Sequence, residues 1–152
     1  MISLQLLAIL AGLAITVQAT FNAKLGLLLK SSILATSLAF LFAFLFTLLF
    51  MLISNRDYPL WLEIKQVPWY LWFSGGALSA FGVGMFFYLI PKMGVGSMMS
   101  FALSGQIVLG LLASHYGWFD LPKTPITAIK FLGLITLIAG LFLINWESRY
   151  AA

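Results

Sequence analysis

The sequence predicts an all-α membrane protein, a bundle of five transmembrane helices, and three observations carry that prediction. Of the 152 residues, 62% are hydrophobic and 8% are charged, whereas soluble domains carry about 25% charged residues. So few charges cannot wet the surface of a globule, and lipid must be the solvent for most of the chain. The apolar residues also fall into five runs, each near the roughly 20 residues a helix needs to cross about 30 Å of hydrocarbon. Those runs do not alternate in polarity as the strands of a membrane barrel must.

The first span covers 2–21, with no charge before Lys24, and the second covers 33–53 with none at all. The third lies between Lys65 and Lys92, over 69–90, and the fourth over 95–114. The fifth, 126–145, admits Lys130 near its end, where the long side chain can reach water. The connections are short. "PKMGVG" leaves room for a tight hairpin between spans three and four, and "SNRDYPLWLEIKQVP" brings Tyr58, Trp61, Trp69 and Trp72 to the headgroup layer. That longer loop has the composition of a short interfacial helix. A cleaved signal peptide is the rival reading of the N-terminus, since "VQA" suits a cleavage site, but no Lys or Arg precedes the apolar run.

Orientation follows the excess of Lys and Arg in cytoplasmic loops. Five spans place Arg56, Lys65, Lys123 and Lys130 on one face and Lys24, Lys30, Lys92 and Arg149 on the other, four against four. Two readings stay open: a single topology in which span ends are miscounted, or a dual topology whose copies pair antiparallel.

Polar residues within the spans are the candidates for function. Gln18 and Asn22 stand one helical turn apart on span one, where an unbonded amide costs a few kcal/mol. They flank a line of small residues, Ala8, Gly12, Thr16, Ala19, Ala23 and Gly26, along which another helix can approach. Either an interhelical hydrogen bond or a polar contact in a cavity accounts for them. Span three is rich in small residues, Gly75, Gly76, Ser79, Ala80, Gly82 and Gly84 among them, which permits close packing, bending or room for a ligand. Trp69, Trp72 and Tyr88 suit interface anchors, and Trp72 is the best placed aromatic for a ligand contact. Span four lines up Ser97, Ser100 and Ser104, which can bond their own backbone, with Gln106 about 200° around from Ser104. On span five, Gly133 and Gly140 form a notch suited to helix pairing and hence a dimer interface.

Absences narrow the function. Asp57, Glu63, Asp120 and Glu147 all fall outside the spans, so no carboxylate is placed as a proton relay at depth. His115, the one histidine, ends span four and reads as a solvated or capping residue ahead of a proton carrier. No cysteine, metal-binding constellation, activated nucleophile or phosphate-cradling loop is present. The sequence therefore argues against an enzyme and calls for no cofactor. The net charge of +4 comes from scattered lysines and arginines rather than a basic stripe, which argues against nucleic acid.

Four stretches, "VQATFNAKLG", "VPWYLWFSGGALSAFGV", "SGQIVLGLLASHYGWF" and "KFLGLITLIAGLFLIN", together resemble the YdcZ-like five-span family of the drug/metabolite transporter superfamily. The later part, from "IPKMGVGSMMSFALSGQIVLGLLAS" to "GLITLIAGLFLIN", is also similar to the small multidrug resistance proteins, four-span relatives that work as antiparallel dimers. The resemblance implies an integral protein of a bacterial inner membrane, one half of a ten-helix inverted-repeat transporter completed by a second copy or a paralogue. It implies transport of a small organic solute by alternating access around a central site; of the residues singled out above, Gln18, Asn22, Trp72, Ser104 and Gln106 are the expected solute contacts, with membrane lipid, the solute and a mate as partners. Two departures matter. The first-helix glutamate of the small multidrug resistance proteins is missing, and Ser114 stands where the family pattern often has Asp before "HYG".

Overall fold

The computed structural model describes residues 2–54 and 58–146. Among these, every regular element is helical: α1 (Ile2–Leu28), α2 (Ser32–Ile53), the single turn α3 (Trp61–Ile64), α4 (Leu71–Met93), α5 (Val95–Tyr116) and α6 (Ala128–Trp146), with a 3-10 turn at Trp118–Asp120. All but α3 are long and apolar enough to cross a membrane, as the sequence predicts. Even the shortest of these, α6 with 19 residues, spans about 28 Å. Only 6% to 11% of the residues in their most apolar windows are buried within the chain, so lipid or a partner must cover the rest. Arg56, Arg149, Asp57 and Glu147 lie outside the described residues.

Helix ends differ from the span ends that hydropathy marks. The first helix continues past Phe21 to Leu28 and carries Lys24 within it. Apolar length measures the hydrocarbon, whereas a helix stops where its backbone is capped. The stop after α1 is a Schellman motif: Lys30 N–H donates to Leu27 O at 3.2 Å and Ser31 N–H donates to Gly26 O at 3.0 Å. Lys30 sits at the left-handed position, φ +54°, which costs an L-residue roughly 1–2 kcal/mol that glycine would not suffer. Ser31 then caps α2, its Oγ accepting from Leu34 N–H at 3.1 Å.

The chain divides after Lys92 into two compact units. In the first, α1 packs against α2 along the C-terminal half of the small-residue line. Ala19 and Ala23 are buried on α1 and Ala35 on α2. At Gly26 a Cβ would meet Ser32 Cα at 3.4 Å and Ala35 Cβ at 3.5 Å. The N-terminal half behaves differently: residues 3–15 are exposed throughout, and a Cβ at Gly12 would meet nothing within 4 Å. Helix α4 approaches α2 at Gly84, where a Cβ would stand 3.4 Å from Thr36 Oγ1. Phe87 and Ile90, one turn on, are its buried residues. The connection before α4 holds a single helical turn, α3, closed by Leu60 N–H donating to the Glu63 carboxylate at 2.8 Å.

The second unit opens after Gly94, whose φ of +83° and ψ of 158° belong to a region that is essentially glycine-only. Gly117, left-handed at φ +64°, ends α5. The return to α6 is tied by Thr124 N–H to Ser114 O at 2.9 Å and by Ile126 N–H to His115 Nδ1 at 3.1 Å. His115 thus holds a loop, and the helix starts at Ala128 behind Thr127, whose Oγ1 accepts from Lys130 N–H at 3.3 Å as an N-cap. Across the hairpin, buried Asn145 on α6 donates to Ser100 Oγ on α5 at 3.1 Å and to Leu141 O at 2.8 Å.

Two outcomes follow from this packing. Gly26→Leu forces α1 from α2 and lowers stability by about 1–3 kcal/mol, read as a lower melting midpoint in detergent, while Gly12→Ala leaves the monomer's midpoint unchanged or higher. A double-mutant cycle of Asn145→Leu with Ser100→Ala returns a coupling near 0.6 kcal/mol, the usual worth of an interhelical hydrogen bond in membrane proteins.

Candidate functional site

Membrane helices hide hydroxyls easily and amides poorly. On α1, Thr16 Oγ1 donates to Gly12 O at 3.0 Å and Thr20 Oγ1 to Thr16 O at 2.9 Å, each spending its proton on the turn before it. Gln18 and Asn22 cannot close such a bond as readily. They bond to each other instead: Asn22 Nδ2 donates to Gln18 Oε1 at 3.0 Å, and both residues are half-buried beside the Ala19–Ala23 seam. That one bond leaves the Gln18 NH2 and the Asn22 carbonyl with capacity to spare. Among the described residues no other side chain takes it up. Measured along α1, Gln18 lies roughly 5 Å from the helix midpoint and Asn22 roughly 10 Å.

Trp72 is the second residue of α4 and is exposed, some 15 Å along the axis from the middle of its helix. By this register it belongs to the membrane edge, at a depth different from the amides. Trp69, beside it, stacks on Phe73 with ring centroids 5.4 Å apart. The aromatic and amide candidates of the first unit are therefore not brought together.

In the second unit the structure gathers three of the expected residues. Ser104, Gly133 and Gly140 line one groove of about 430 Å³ between α5 and α6, together with Ser100 and Thr136. Ser104 Oγ donates to Ser100 O at 2.9 Å, so its hydroxyl is already engaged by its own helix. A Cβ at Gly133 or Gly140 would meet nothing within 4 Å, which leaves the notch open to an incoming helix. Gln106, two residues beyond Ser104, points some 200° away from this groove and is exposed.

Two features escaped the reading of the sequence. Asn145 served only to mark the end of the fifth span, yet it is buried and ties α6 to Ser100. The signal was Asn145 itself, an amide at the end of an apolar span, which needs a hydrogen-bond partner there. The second is a pair of clefts beside α2 that share Tyr88, one of them also lined by Lys30 and Lys92. The spacing of Tyr88 and Lys92, one turn apart, could have pointed to it.

Two of the three comparisons return no match: no curated protein and no solved structure is similar to the chain. The family described as "Putative inner membrane exporter, YdcZ" matches residues 3–143, a stretch that takes in α1 to α5 and all but the last turn of α6. The chain therefore belongs to the YdcZ family of the drug/metabolite transporter superfamily and is an integral inner-membrane protein.

Proposed function

We propose that this chain is half of a transporter that pairs with an oppositely oriented copy of itself, or with a paralogue, and carries a small organic solute by alternating access. The family's description as an exporter supports movement of a solute across the inner membrane rather than catalysis. The observation that carries the mechanism is the Gln18–Asn22 pair: two half-buried amides roughly 5 and 10 Å from the midpoint of a membrane helix, bonded once to each other at 3.0 Å. Their remaining donors and acceptor orient a solute in a neutral cavity, and a second copy presents the same groups again across an axis in the membrane plane.

Pairing has its own support. Residues 3–15 of α1 are exposed, and the Gly133–Gly140 notch of α6 is open. The four-against-four count of cationic residues gives the chain no end that must stay inside. Ser104, Gln106 and Trp72 are further solute contacts in this reading. Gln106 most needs one, because an exposed amide on an apolar helix is costly in lipid. With no carboxylate in a span, the coupling used by small multidrug resistance proteins has no counterpart here.

A second reading rests on the same bond. If the amides serve only each other, the chain is a non-transporting membrane subunit, and their loss leaves any transport intact.

Gln18→Leu or Asn22→Leu lowers efflux from overproducing cells at least ten-fold, about the worth of one buried hydrogen bond to solute, while cross-linking still recovers the dimer. Unchanged efflux supports the second reading, and loss of the dimer assigns the amides to assembly. Of topology reporters fused separately to the two termini, each gives signal from both sides of the membrane if copies insert both ways; one clean orientation, with the two termini on opposite sides, favours a parallel complex or an oppositely oriented paralogue.

A further inference from the structure

We propose that the end of the first unit, where α1 turns into α2 and α4 finishes, is a binding site for an anionic glycerophospholipid. Its phosphate lies between Lys30 and Lys92, and an acyl chain follows the groove between α2 and α4.

The site has a polar head and an apolar tail. A cleft of about 690 Å³ is lined by Lys30, Ser31, Ser32, Tyr88 and Lys92 among others, within the range of ligand pockets. It adjoins a groove of about 430 Å³ that shares Ser32, Ile33 and Tyr88 and is walled by Ala80, Phe81 and Met85. From Tyr88 to Ala80 this groove runs about 12 Å along α4, away from the charged end. Lysines at the membrane edge opening onto an apolar furrow match an anionic headgroup with its chain attached. A free phosphate would leave the furrow unused.

Four features of the head argue for an anion. Among the described residues neither ammonium meets a carboxylate. Lys92 is held in place: its Nζ stands 3.7 Å from the Tyr88 ring centroid and donates to the Tyr88 hydroxyl. Lys30 is anchored through its backbone at φ +54°, a left-handed position that glycine would fill without strain. Strain kept at a charged residue is a mark of use. The start of α2, capped by Ser31, adds its partial positive charge to the same cleft. Basic pockets between membrane helices recognise anionic headgroups by this chemistry. The inference does not rest on the transport reading, and neither fails with the other.

The test uses the full-length protein in neutral detergent, with binding read by native mass spectrometry and by thermal unfolding. Phosphatidylglycerol binds and raises the midpoint, phosphatidylcholine does so far less, and inorganic phosphate does not reproduce the effect. Lys30→Gly and Lys92→Gln each weaken phosphatidylglycerol about five-fold and together about thirty-fold. Lys30→Gly without lipid melts no lower than the wild type, which separates charge from folding. Ala80→Leu, which narrows the tail groove, weakens the lipid while both lysines remain. Equal retention of the two lipids, or no loss in the double variant, overturns the site. Full stabilisation by inorganic phosphate reduces it to an anion site and overturns the lipid.

Discussion

A polar atom in hydrocarbon must find its partner within the protein, because the solvent offers none. Many of the hydroxyls in these helices obey that constraint locally, as Thr16 and Thr20 do on α1. Thr36, Ser37 and Thr47 on α2, Ser100 and Ser104 on α5 and Thr136 on α6 all donate to carbonyls of their own helices. Asn145 spends its NH2 on Ser100 and on Leu141. Against that background, amides that keep unspent capacity stand out, which is why Gln18 and Asn22 hold attention although they bond to each other.

The same constraint shapes packing. With no hydrophobic drive between helices in lipid, backbones associate where small residues let them approach, as at Gly26 against Ser32 and Ala35 and at Gly84 against Thr36. The line of small residues on α1 is used over its second half only. Ala19 and Ala23 are buried, whereas Ala8 and Gly12 belong to an exposed stretch, and a Cβ at Gly12 would meet nothing within 4 Å. A seam that continues beyond its intramolecular partner is a surface prepared for something else. In the antiparallel reading that something is the mate.

Much of this was legible in the sequence, and the rest was not for definable reasons. Lipid made the five helices plain, since composition alone separates hydrocarbon from water. It hid their ends, because Lys24 could ride on inside a helix while the stop was set by a left-handed Lys30 that no propensity would favour. Local spacing placed Gln18 beside Asn22 and turned Gln106 away from Ser104. What spacing could not show was the meeting of distant segments: Ser104 with Gly133 and Gly140 across a hairpin, Asn145 with Ser100 across 45 residues, and Lys30 with Lys92 in one cleft. Such pairings depend on the rotation of each helix about its axis, which an all-apolar surface leaves unmarked.

Charge balance links the two proposals. In a protein with one fixed orientation, lysines collect at the end that stays in the cytoplasm and meet the anionic lipid of that leaflet. Here Lys30 and Lys92 share one cleft, while Lys65 and Lys123 in connections, with Lys130 at the start of α6, belong to the face that the span count sets opposite. Antiparallel pairing would set the Lys30–Lys92 cleft of each copy in a different leaflet, so that each membrane surface offers one anchored headgroup. Such an arrangement grips the dimer equally from both sides and gives neither half a preferred direction. A transporter built from identical halves needs that equivalence, because its two access states must then lie close in energy.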